Sequence, residues 1–196
     1  MFLCFFHDAM NLTQSTILLV FAFLAVFGES ALSGFRTCVG AQPDLLPALM
    51  VYAALNLDIW TVSALAVLGG VGFDTFSANS LGISILPLLL VGILIFARRD
   101  LILRSLPFAQ SVLGGAASAI VPALTLILLL NGGRQPLLGW GSLWQWSVMV
   151  ASGAAATPVL FVFFDRCHQA LGYPPAKEFT FRSDREILRD RNKWGR

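Results

Sequence analysis

The sequence predicts an all-α fold, a polytopic membrane bundle of six transmembrane helices. Three observations carry that prediction. Hydrophobic residues make up 57% of the 196-residue chain and charged residues 12%, about half the ~25% charged share of a soluble domain. The apolar residues fall into runs of span length divided by short polar breaks. The basic residues are segregated. Arg36 is the single Lys or Arg in residues 1–97, whereas eight of the 13 (Arg166, Lys177, Arg182, Arg185, Arg189, Arg191, Lys193, Arg196) lie beyond Asp165.

A spanning helix needs about 20 apolar residues. The first run, Leu12 to Leu32, meets this, and Asn11 or Thr13 can cap its start. No Lys/Arg-rich segment precedes it, which favours a retained span over a cleaved signal peptide. Met10 is an alternative start to Met1, because Met1 to Ala9 differs in character from the rest of the chain. The second apolar region, Pro43 to Ser77, is interrupted by Asn56–Leu57–Asp58. As one helix it would be about 50 Å long, well beyond the roughly 30 Å hydrocarbon core. It is therefore predicted to fold back as a hairpin of two short arms, Pro43–Leu57 and Ile59–Phe76. Three further spans are predicted at Gly82–Ala97, Pro107–Leu130 and Leu143–Phe164. Pro47, Pro87, Pro122 and Pro158 fall inside four of these spans, as prolines do where neighbouring helices re-satisfy the backbone.

Two regions result, a six-span domain over residues 1–165 and a basic tail over 166–196. With the N-terminus inside, Arg98, Arg99, Arg104 and the eight tail residues are cytoplasmic, and only Arg36 and Arg134 are outside. That bias, three plus eight against two, places both termini in the cytoplasm. Trp140, Trp144 and Trp146 anchor the outer start of the last span, and Trp60 the inner turn of the hairpin. Tyr173–Pro174–Pro175 makes a stiff link into the tail, where Ser183 and Glu186 have capping-box spacing. Glu178, Asp184, Glu186 and Asp190 interleave the tail's cations, which argues against a nucleic-acid partner and for a solvated segment near anionic lipid or a cytosolic filament.

Charges inside a membrane are costly and mark function by default. The predicted topology brings Glu29, Arg36, Asp44, Asp74 and Arg134 to one depth near the outer face. They read either as a polar cluster that seats a partner or ligand, or as ordinary interfacial charge in contact with water. Asp74 stands out. It lies near a helix C-terminus, where the dipole disfavours a carboxylate. It therefore needs donors from its own turn (Ser77, Asn79, Ser80) or from Arg36 or Arg134. Gly69, Gly70 and Gly72 precede it. Glycine costs about 1 kcal/mol against alanine within a helix, so three in four positions predict a close helix contact. The small-residue patches Gly114–Ala119 and Ala151–Ala156 have depths that allow them to meet, as helix-packing surfaces.

Chemistry is hard to place on this chain. His7 and His168 lie outside the spans, and Cys4, Cys38 and Cys167 have no metal or disulfide spacing. No nucleophile elbow, phosphate loop or metal-binding set appears. No catalytic residue, cofactor or metal site is expected.

The stretch Gln42–Leu55 (QPDLLPALMVYAAL), then Gly69–Gly82 (GGVGFDTFSANSLG) and an apolar span, resembles MreD, the rod shape-determining membrane protein family. Pro43, Asp44, Gly70, Asp74, Ser77, Leu81 and Gly82 match the family's Pro-Asp opening and its Gly–Asp–Ser–Leu-Gly turn. Gln42 replaces a common basic residue and Ala78 a common glycine. The resemblance covers about residues 12–165 and implies a non-enzymatic bacterial inner-membrane component of the elongation machinery. It implies binding to a single-span MreC-like partner, with indirect links to an MreB-like filament and a peptidoglycan synthase and transpeptidase. It also implies a fold like the S components of vitamin importers, which makes a small-solute binding subunit the alternative. A lipid-linked enzyme ranks third.

Overall fold

The computed structural model describes residues 2–31, 40–76, 81–102, 106–133 and 139–170. Among them there is no strand and there are six α-helices. These are α1 (Phe2–Ala31), α2 (Leu46–Asn56), α3 (Ile59–Phe76), α4 (Ile85–Arg98), α5 (Pro107–Asn131) and α6 (Trp140–Ala170), with a 3₁₀ turn at Arg99–Leu101. The chain divides into two compact units, residues 1–162 and 163–196. The second is described only through the last turns of α6, to Ala170. Three stretches are long and apolar enough to cross a membrane: Ile59–Phe76, Pro107–Asn131 and Trp140–Cys167. The chain is thus an all-α membrane protein.

Within the first unit the core is built around α2. Ten of its 11 residues, Leu46 to Leu55, are buried, and it packs against α1, α3, α4 and α5. Tyr52 also meets Phe161 of α6 edge-on, with centroids 5.0 Å apart. A helix that is apolar on every side belongs in the interior. At 11 residues it is about 17 Å long, so it is enclosed by its neighbours and leaves the lipid contact to them. The hairpin turn falls where the polar break predicts it. Leu57 N closes α2 onto Ala53 O at 2.8 Å, and Asp58 O accepts from Thr61 N and Val62 N.

The remaining helices take their register from small polar and aromatic contacts. Ser15, midway along α1, and Thr61, in the first turn of α3, share a hydrogen bond of 2.7 Å, and α1 already runs helical through Asn11 and Thr13, which the sequence offered as its caps. Phe27 and Phe76 meet edge-on, 6.3 Å apart, near their ends, so the two helices run parallel. The outward faces carry exposed Phe23, Leu24, Val67, Leu68, Leu90 and Leu94, as lipid-facing helices do. The prolines divide into two kinds. Pro122 and Pro158 are inside α5 and α6. Pro47 and Pro87 instead occupy the first turns of α2 and α4, where a missing N–H costs nothing. They start helices, although the predicted spans place them in the interior.

The small patches on α5 and α6 do meet. A side chain at Gly114 would strike Thr157 Oγ1 and come within 2.6 Å of Gly153 O, and one at Gly153 would strike Ser118 Oγ. Thr157 turns its hydroxyl to Gly153 O at 2.7 Å. Backbone approach of this kind is what drives helix association where no water is available to expel. Trp146 adds a hydrogen bond of 3.1 Å from its indole to Ala119 O.

Candidate functional site

Antiparallel connections gather the C-terminal ends of α1, α3 and α5 with the N-terminal ends of α2, α4 and α6. The acids collect at this end. Asp74, on the last turn of α3, is 2% exposed. Its Oδ2 accepts from Gly82 N at 2.7 Å and Ser84 N at 3.2 Å, and its Oδ1 accepts from Ser84 Oγ at 2.6 Å. A buried carboxylate at a helix C-terminus is therefore held by the leading turn of the next helix. Charge-assisted bonds of this kind are about twice as strong as neutral ones. Gly82 has φ of +94°, a conformation that glycine adopts at no steric cost. That turn aims both Gly82 N and Ser84 N back at Asp74.

The donors that the sequence points to, Ser77, Asn79, Ser80, Arg36 and Arg134, all lie outside the described residues. Sequence reasoning misses Ser84. It sits two residues beyond the turn, inside an apolar run, and only the tertiary path of the chain brings it back.

The glycines before Asp74 have separate surroundings. A Cβ on Gly70 would lie 3.0 Å from both the backbone N and Cα of Ile85, so the start of α4 rests directly on α3. A Cβ on Gly69 would meet the tip of Leu46, at 2.7 Å from Cδ1. Gly72 differs from the expectation. Its nearest neighbour, Val26 Cγ1, would lie 3.7 Å away, which is ordinary contact. Close packing accounts for two of the three.

The second acidic junction joins α1 to α2. Glu29 Oε1 accepts from Leu45 N at 2.8 Å, and Asp44 Oδ1 accepts from Leu46 N at 2.9 Å. Two adjacent orphan N–H groups at the start of α2 are thus met by two carboxylates, which the helix dipole favours there. The approach to α2 is clamped from both sides. Gln42 donates its side-chain amide to Glu29 O at 3.1 Å. Gln145 of α6 brackets Gln42's backbone, accepting from its N at 3.1 Å and donating to its O at 2.9 Å.

Between these junctions lies a crevice of about 280 Å³. Asp44 and Ser84 line it from the two acidic junctions, Thr125 from α5 and Met149 from α6. The rest is hydrocarbon, including Phe73, Leu88 and Val121. Of the five charged residues predicted to share one depth, Glu29, Asp44 and Asp74 do gather at this end. No group of three or more metal-type side chains occurs among the described residues. No known protein family, characterised protein or solved structure matches the chain.

Proposed function

We propose that this chain is a non-enzymatic inner-membrane component of the bacterial elongation machinery. In this reading it scaffolds lateral peptidoglycan synthesis and rod shape by binding a single-span MreC-like partner. Through that partner it connects to an MreB-like filament and to the peptidoglycan synthase and transpeptidase. Both termini face the cytoplasm and the acidic end faces outward.

One observation carries the reading. The residues on which the MreD resemblance rests do structural work together at one end: Asp44 starts α2, Gly70 admits α4, and Asp74 with Gly82 joins α3 to α4. A motif spread over two distant stretches of sequence then has one physical purpose, to hold the helix ends that a partner's transmembrane helix would pack beside.

The test is co-purification of the tagged chain with an MreC-like protein from mild detergent, together with depletion in a rod-shaped cell. A stable complex and rounding on depletion are expected. An intact rod after depletion, with no such partner retained, would sink the proposal. The crevice favours a second reading, a small-solute binding subunit of an importer, for which a stoichiometric vitamin in the purified protein is the expected sign.

A further inference from the structure

The crevice has a chemical sign. Asp44 is 9% exposed and lines it. Its Oδ1 is used by Leu46 N, and its Oδ2 has no hydrogen-bond partner among the described residues. A carboxylate oxygen left unpaired in an apolar setting is costly, and the other polar groups in the wall do not relieve it. Ser84 Oγ gives its proton to Asp74, and Thr125 Oγ1 gives its proton to Val121 O at 2.9 Å. A hydroxyl has one proton to donate. The crevice therefore presents acceptors alone.

Such a wall rejects anions and gives little to a ligand that only accepts. It favours a ligand that brings its own N–H protons and a positive charge. The Leu88, Val121 and Met149 surfaces ask for an apolar body. A hard metal ion is disfavoured, because it requires about six oxygen ligands and the lining offers one carboxylate among hydrocarbon. The volume, about 280 Å³, lies at the lower edge of the ~300–1,000 Å³ range of small-molecule sites.

We propose that this crevice binds a small amphiphilic organic cation, a primary or secondary ammonium on a compact apolar body, with the ammonium on Asp44 Oδ2. The assignment goes beyond the scaffold reading and does not rest on it: it concerns occupancy of the crevice, whereas the scaffold is decided by partner retention.

The experiment is calorimetric titration of the purified full chain, in uncharged detergent, with phenethylammonium. 2-Phenylethanol serves as the neutral match and 3-phenylpropionate as the anionic one. Saturable binding of the ammonium is expected, with both other probes weaker by at least about tenfold, the scale of one charge-assisted hydrogen bond. Asp44→Asn keeps an oxygen for Leu46 N and removes the charge, and it should weaken the ammonium by at least about tenfold. Thr125→Leu, which narrows the crevice and leaves Asp44 in place, should weaken it as well. Equal binding of the three probes, unchanged affinity in Asp44→Asn, or no saturable binding of the ammonium at millimolar concentration would each overturn the assignment.

Discussion

Between α3 and α4, Asp74 receives three hydrogen bonds from Gly82 and Ser84, spread over both carboxylate oxygens. Between α1 and α2, Glu29 and Asp44 receive one backbone bond each among the described residues, from Leu45 N and Leu46 N. Both junctions bury acid at the same end of the first unit, yet one closes on itself and the other keeps capacity in reserve. Satisfying a carboxylate fully makes it part of the scaffold. Leaving one oxygen open keeps it available to a ligand, at a cost in stability that the surrounding packing must offset.

The largest expected effect tests the closed junction. Asp74→Leu strips the partner from Gly82 N, Ser84 N and Ser84 Oγ at once, in a buried setting. Each orphaned donor costs about 1–3 kcal/mol, so a loss of about 4 kcal/mol is expected in thermal or denaturant unfolding in detergent. A change below about 1 kcal/mol would remove the distinction between the junctions. Gly70→Val comes next. It forces a side chain against the Ile85 backbone and should cost about 1–3 kcal/mol, read as a lower melting temperature.

The open junction should respond more mildly. Asp44→Asn retains the bond to Leu46 N. Its stability should stay within about 1 kcal/mol of the parent, by the same unfolding assay, although ligand affinity falls. A large loss of stability would mean that both acids are structural. Ser118→Ala probes the α5–α6 seam. Ser118 Oγ is buried with no partner among the described residues, so its removal should raise stability by about 1 kcal/mol. Gly72→Ala should be the smallest change, neutral or stabilising by up to about 1 kcal/mol, because the added methyl meets only Val26 at contact distance.

Much of the fold was legible in the sequence because a membrane imposes a coarse rule: apolar runs become helices, and polar breaks become turns. Asn56–Asp58 ends α2 and starts α3, and Pro107 begins α5 as read. The meeting of Gly114 and Gly153 reflects small residues at matching depth. Helix ends were less legible. α6 starts at Trp140 and continues to Ala170, beyond both predicted bounds, because polar residues such as Ser142 at one end and Asp165 at the other do not by themselves stop a helix.

Composition and pattern by themselves determined the all-α class, the helix order, and the need of Asp74 for donors, since these rest on hydrophobicity, chain geometry and the cost of a buried charge. Tertiary structure decided the rest. It brought Gly82 and Ser84 to Asp74 as donors, enclosed α2 on all sides, separated Gly72 from Gly69 and Gly70, and set Asp44 in a wall whose hydroxyls had already given up their protons. The physical reason is that hydropathy is a property of each residue, whereas hydrogen-bond satisfaction and close approach depend on which residues, distant in sequence, are brought within about 3 Å.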